Sequence, residues 1–218
     1  MRRNRGFLLD MDGTLIDSEK IFRKLWKQAA NHYGFPLSDY DLRLIASLNQ
    51  SNLEKKVKSI LPKGVSFEEF QKYRKDAFNE FIKIKGVSAK KGVKQFLAFC
   101  KENKINCIVV TNTSTQHALK RLESAKLLPY IKEVIGGDQV PEKKPDPSGY
   151  LLGIKRLGIS KEDCIAIEDS HNGILAATSA GIKTIWIKDV WEVEEEVQNK
   201  AILKFSSFFD VLKEIEKV

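Results

Sequence analysis

Two aspartates one residue apart close the first apolar run of the chain, where Gly6-Phe7-Leu8-Leu9 leads into Asp10-Met11-Asp12-Gly13-Thr14. Carboxylates are costly to bury alone, so a pair at the end of a buried strand calls for a cation, a bound substrate or a turn that exposes both. Three further segments carry matching chemistry: Thr111-Asn112, Lys144 within Lys143-Lys144-Pro145-Asp146-Pro147, and Glu168-Asp169-Ser170. Brought together, these groups describe a phosphate-transfer site. Two like charges about 4 Å apart repel by roughly 4 kcal/mol at an effective dielectric of about 20, so Asp10, Asp12, Glu168 and Asp169 tolerate one another only beside positive charge. Mg²⁺ meets that need, because it takes oxygen ligands from one or two carboxylates together with substrate phosphate and water. Lys144 supplies a second, fixed positive charge.

The elements that must position these residues read as a parallel sheet. Short apolar runs recur at Phe7–Asp10, Cys107–Asn112, Glu133–Asp138, Cys164–Asp169, Thr184–Lys188 and Ala201–Phe205, each bounded by turn residues and separated by helical patterns. Unbroken runs such as Ile108-Val109-Val110 and Ile165-Ala166-Ile167 predict strands covered on both faces. The fold class is therefore α/β, a doubly wound, Rossmann-like parallel sheet, whose ligand site lies beyond the carboxyl ends of the strands. Between about Ser18 and Lys85 the alternation stops and only amphipathic helical stretches appear, around Ile21–Tyr33, Leu42–Leu48, Leu53–Leu61 and Phe67–Ile84. This predicts a sheet domain of residues 1–17 and 86–218 with a helical domain, 18–85, inserted into it, and Lys85-Gly86-Val87 as the return link.

A length of 218 residues with 42% hydrophobic content suits one ordinary core with a smaller appended unit. The formal net charge of +8 favours anionic partners, but the lysines are scattered along helical patterns without the aromatic interleaving of a nucleic-acid platform, so no nucleic-acid partner is expected. Met1-Arg2-Arg3-Asn4-Arg5 is basic like the start of a secretion signal, yet the apolar run after it is stopped by Asp10, and no membrane segment follows. Cys100, Cys107 and Cys164 form no Cys-x-x-Cys pair and fit a reducing compartment, with the cytoplasm as the default.

Asp10-x-Asp12-Gly13-Thr14, Thr111-Asn112, Lys144-Pro145-x-Pro147 and Glu168-Asp169 followed by Ser170 and Gly173 together resemble the four motifs of the haloacid dehalogenase superfamily, in order and approximate spacing over nearly the whole chain. A helical insert directly after the first motif resembles the small-molecule phosphatase and beta-phosphoglucomutase-like subgroup, in which it is a cap closing over the site. The resemblance implies Asp10 as the nucleophile that forms an aspartyl-phosphate and Asp12 as its acid and base. It implies Mg²⁺ held by Asp10, Asp12 through its carbonyl, Asp169 and Glu168. Thr111, Asn112 and Lys144, with Met11 and Gly13 of the first loop, would bind the phosphoryl group. Beta-phosphoglucomutases carry an arginine shortly after a glycine in the cap loop; Ala46-Ser47-Leu48-Asn49-Gln50-Ser51 has neither. The expected function is thus a Mg²⁺-dependent phosphatase of a small phosphorylated metabolite, for which a sugar phosphate is one candidate, in a monomer or small homo-oligomer. A phosphomutase and a non-catalytic phosphate- or metal-binding regulator are the alternatives.

Each motif also has an ordinary reading. Asp12-Gly13 alone is a common turn, and Asp-x-Asp-Gly opens calcium loops, but Leu15 stands where an EF-hand needs its glycine. Thr111 and Asn112 can belong to a helix cap made through Thr113 or Ser114, and Glu168-Asp169-Ser170 can be a capping cluster. Lys143 reads as solvated. His32, His117 and His171 share no ligand spacing, although His171 directly follows the acidic loop. Trp26, Trp186 and Trp191 read as packing, as do Phe67, Phe70, Tyr73, Phe78 and Phe81, one edge of which can line a substrate cavity. Ser47, Asn49 and Gln50 are equally placed to bind a polar substrate or to form an ordinary loop.

Overall fold

A computed structural model describes residues 5–48, 50–190 and 192–215. Residues 1–4 of the basic start, Asn49 and Trp191 lie outside them, as do the side chains of Ala46, Ser47, Gln50 and Ser51. The chain divides into two compact units, Met1–Asp17 with Val87–Val218, and Ser18–Gly86. Gly86 goes with the helical unit because it caps the last helix there: its φ of 72° is open to glycine, and its amide returns to the Ile82 carbonyl at 2.9 Å.

The helical unit contains α1 (Glu19–His32), α2 (Asp39–Ser47), α3 (Gln50–Ile60) and α4 (Phe67–Lys85). Ser38 and Ser66 start α2 and α4 through reciprocal capping boxes with Asp41 and Glu69. Its interior is aromatic: Phe22 stacks on Phe78 at 4.3 Å between centroids, and Trp26 and Phe35 approach Phe70 at 5.3 and 5.4 Å. Tyr73 stacks on His32 at 4.4 Å, and Lys24 lies over Phe81 at 5.9 Å.

The sheet unit carries β1 (Gly6–Leu9), α5 (Val93–Glu102), β2 (Asn106–Val110), α6 (Thr115–Ser124), β3 (Glu133–Ile135), α7 (Ser148–Leu157), β4 (Cys164–Glu168), α8 (His171–Ser179), β5 (Lys183–Ile187), α9 (Glu195–Gln198), β6 (Leu203–Phe205) and α10 (Phe208–Ile215). The strands form one parallel sheet in the order β3-β2-β1-β4-β5-β6. Both faces are covered. Leu8, Ile108 and Ala166 pack with Tyr150 and Leu157 of α7 and Ala176 and Ala177 of α8, while Phe7 meets Phe96 of α5 edge-on and Phe96 meets Phe208 of α10, both at 5.0 Å.

Chain order reverses between β1 and β4, which opens a crevice at their carboxyl ends. Leu9 pairs with Val109 on one side and Ile167 on the other, so the residues just beyond, Asp10, Val110 and Glu168, emerge level with one another. The strands are shorter than the apolar runs predict: β1 ends before Asp10, β2 before Thr111 and β3 before Gly136-Gly137, while β6 begins only at Leu203. Leaving the ladder frees the polar residues that follow to make side-chain contacts.

Candidate active site

Lys144 joins three strand ends, those of β1, β2 and β4. Its ammonium donates to Asp10 Oδ1 at 2.5 Å, to Glu168 Oε1 at 2.6 Å and to the Val110 carbonyl at 2.8 Å, which uses all three of its protons. Burial pushes the Asp10 carboxyl up to about 8, with repulsion from Glu168 and Asp12 adding to the rise and Lys144 opposing it. Burial alone would lower Lys144, but Asp10 and Glu168 outweigh it and hold the ammonium above its ordinary range. Tyr150, fully buried on α7, donates its hydroxyl to the same Glu168 oxygen at 2.5 Å. Desolvation, then the Glu168 charge, raises this phenol well above its usual range, so it remains a donor.

Asp169 is held from two sides: Thr14 donates to Oδ1 at 2.7 Å, and Trp186 Nε1 donates to its carbonyl at 3.1 Å. Trp186 therefore does more than pack. Gly13, at φ 84°, brings the first loop so close that a Cβ there would collide with the Asp169 carboxylate. Lys90 clamps that loop, donating to the Gly13 carbonyl at 2.6 Å and pairing with Asp189. Ser170 reconciles both readings of its segment: its hydroxyl accepts the Gly173 amide at 3.1 Å as the cap of α8 and donates to Glu168 Oε2 at 3.3 Å.

Thr111 is buried, and its hydroxyl oxygen accepts the Thr113 amide at 3.1 Å, leaving the hydroxyl proton to be donated. Asn112 braces the lysine loop by its side chain: Oδ1 accepts the Lys144 amide at 2.9 Å, and Nδ2 donates to the Lys144 carbonyl at 3.3 Å. Met11 is fully buried, and its carbonyl accepts the amides of Leu15 and Ile16 at 2.9 and 3.0 Å, which folds the loop back on itself.

Asp12 faces a different set of partners. Arg121 Nη1 donates to its two oxygens at 2.9 and 3.0 Å, and Thr113 Oγ1 donates to Oδ2 at 2.8 Å. Thr113 is thus drawn to Asp12 rather than to a helix cap, and Ser114, at the cap position of α6, makes no side-chain cap bond. Sequence reasoning missed Arg121, Tyr150 and Lys90, and gave Thr14 and Thr113 no part in holding these carboxylates. Arg121 left one signal: it falls on the stripe of α6 that includes buried Ala118, Leu122 and Ala125, where a charge needs a partner.

Among the described residues, Asp10, Glu168 and Asp169 form a group that could share a metal ion, their ligand atoms lying within 4.8 Å of one another. The Asp12 side chain is not in that group, being held by Arg121 and Thr113; the resemblance calls on its main-chain carbonyl instead. With Asp10 ionised, as a bound cation would favour, the four carboxylates exceed the ammonium and the guanidinium by two charges. Hard oxygen donors with that excess fit Mg²⁺. The histidines stand apart from the group: His32 stacks on Tyr73, His117 Nδ1 is 2.8 Å from Ser114 Oγ, and His171 Nδ1 is 3.8 Å from Glu194 Oε2. Among the described residues no helix is long and apolar enough to cross a membrane.

The family model of haloacid dehalogenase-like hydrolases matches residues 7–187. A phosphorylated carbohydrates phosphatase of Thermotoga maritima is 32% identical over 95% of this chain and 98% of its own length. A fructose-1-phosphate phosphatase of Escherichia coli is 27% identical over 85% of this chain and 97% of its own. A crystal structure from Thermotoga maritima, provisionally assigned as a beta-phosphoglucomutase, superposes with a TM-score of 0.80 at 28% identity, covering 98% of this chain and 99% of the other.

Proposed function

The chain belongs to the haloacid dehalogenase-like hydrolases, and on that premise we propose that it is a Mg²⁺-dependent phosphatase of a small phosphorylated sugar, working through Asp10. It is a phosphoric monoester hydrolase of that family, as its relatives' names indicate. The observation that carries the finer reading is the Asp10 carboxyl itself, bonded to Lys144 at 2.5 Å and grouped with Glu168 and Asp169 within reach of one ion.

Asp10, Glu168 and Asp169, with the Asp12 carbonyl, would hold the ion, Glu168 directly or through water. When bound, the ion would neutralise Asp10 and the phosphoryl oxygens. An Asp10 oxygen attacks phosphorus while the bond to the leaving oxygen breaks, and Asp12 gives that oxygen its proton. Water then attacks the aspartyl-phosphate, its proton passes to Asp12, and the bond from phosphorus to Asp10 breaks. The Thr111 hydroxyl and the Met11 end of the first-loop backbone hold the phosphoryl oxygens, while Lys144 stabilises charge on Asp10 and the phosphoryl group. Gly13, whose amide is bonded to the Ile16 carbonyl at 3.1 Å, shapes the loop, and Asn112 keeps the lysine loop in register. Such chemistry is mostly positioning and charge stabilisation. The thiols of Cys100, Cys107 and Cys164 are buried, which suits a reducing cytoplasm.

The test is release of inorganic phosphate from a panel of sugar phosphates, nucleotides and other phosphomonoesters, with Mg²⁺ and with chelator. Release that requires both the ion and Asp10, and is fastest with sugar phosphates, is the expected result. Isomerisation of a sugar phosphate primed by a bisphosphate, without net release, would support the mutase reading instead.

A further inference from the structure

Asp10 and Asp12 are one residue apart, yet they are held by different parts of the sheet unit. Asp10 is held from the α7 side by Lys144, and Asp12 by Arg121 of α6 with Thr113 of the segment that precedes it. Arg121 is buried, and its Nη1 also donates to Thr113 Oγ1 at 3.1 Å, so guanidinium, hydroxyl and carboxylate close into one hydrogen-bonded ring. Thr113 further donates its amide to Thr111 Oγ1, linking this ring to a phosphate-binding hydroxyl.

We infer that Arg121 and Thr113 are positioning residues for Asp12, fixing the carboxylate where it hands a proton to the leaving oxygen and later takes one from water. The inference rests on the phosphatase reading above. An aspartate turns freely about two bonds; two donors on a helix and its adjoining loop define both its rotamer and its plane. Misplacing a reacting group by about 1 Å can cost roughly 10²-fold in rate, and proton transfer by a placed side chain contributes about 10² to 10⁴. A leaving group that departs without a proton needs none of this in the first step. Arg121 therefore governs which leaving groups the protein can expel.

The experiment compares kcat/KM, which reports the steps through loss of the leaving group, for a hexose phosphate and for p-nitrophenyl phosphate. Arg121→Met is expected to lower the first by about 10²-fold and the second by less than about 5-fold. With p-nitrophenyl phosphate it should also show a burst of about one nitrophenolate per chain, because the second step still needs Asp12 as base. Thr113→Val should repeat the pattern at about 10-fold, and Thr113→Ser, which keeps the hydroxyl, should recover most of that loss. The valine variant carries the test if Arg121→Met does not fold. Equal losses on both substrates, or no loss on either, overturn the inference while the phosphatase reading stands. Wild-type protein that releases neither leaving group, or releases them as well with Asp10→Asn, overturns both.

Discussion

The sheet unit gathers Asp10, Thr14, Thr111, Arg121, Glu168 and Asp169 out of solvent around the crevice between β1 and β4, whereas the helical unit fills its interior with the rings of Trp26, Phe67, Phe70 and Phe78. Ring packing stabilises without help. Buried charge does not: each ion costs several kcal/mol to desolvate unless it is paired, and here the anions outnumber the cations. The first unit thus carries a stability deficit that a bound cation would remove, which is the mark of a site kept for chemistry. Among the described residues of the second, no charged side chain is buried.

The contrast can be broken most sharply at its centre. Asp10→Asn removes one charge and one nucleophile, and phosphate release should fall by about 10⁴-fold while the circular dichroism spectrum stays that of the wild type. Next in size is Phe70→Ala in the helical unit, which should cost about 3–5 kcal/mol in denaturant unfolding. Its Mg²⁺ affinity by calorimetry should remain within about twofold of wild type, because that variant leaves the acidic group untouched.

The deficit itself has a pH signature. Asp10 rises from an ordinary 3.8 to about 8 on folding, so its contribution is fully present below about pH 4 and is lost as the pH climbs toward 8. In chelator, thermal unfolding of the wild type should fall behind that of Asp10→Asn as the pH rises from 4 to 8, by an amount on the order of a few kcal/mol at the upper end. Added Mg²⁺ should raise the wild-type midpoint more at pH 8 than at pH 5. The smallest effect is expected for Tyr150→Phe, which deletes one donor to Glu168 and should weaken Mg²⁺ binding by about 10-fold.

The sheet was legible because its strands are unbroken apolar runs that stop at turn residues, a pattern that survives without tertiary context. The acidic group was legible for a related reason: Asp10, Glu168 and Asp169 each stand where such a run ends, and parallel strands deliver their ends to one place. Lys144 could be told from Lys143 by the prolines around it. Arg121 was hidden because Lys120-Arg121 within a helix looks like a solvated face, and only its register with Ala118, Leu122 and Ala125 marks it as inward. Thr113, with Ser114, reads equally as a cap because threonine or serine before a helix commonly is one; the nearby carboxylate of Asp12 competes for its hydroxyl. Trp186 reads as packing because nothing in a strand sequence shows where an indole N–H will point.

The most direct test of the account is chemical trapping. Protein mixed with a ³²P-labelled sugar phosphate and Mg²⁺, quenched in acid within milliseconds and digested, should yield a labelled peptide containing Asp10 that loses its label to hydroxylamine, and none from Asp10→Asn. Phosphate released at the wild-type rate with no acyl-phosphate on that peptide, or label persisting in the asparagine variant, would contradict Asp10 as the group that takes up the phosphoryl.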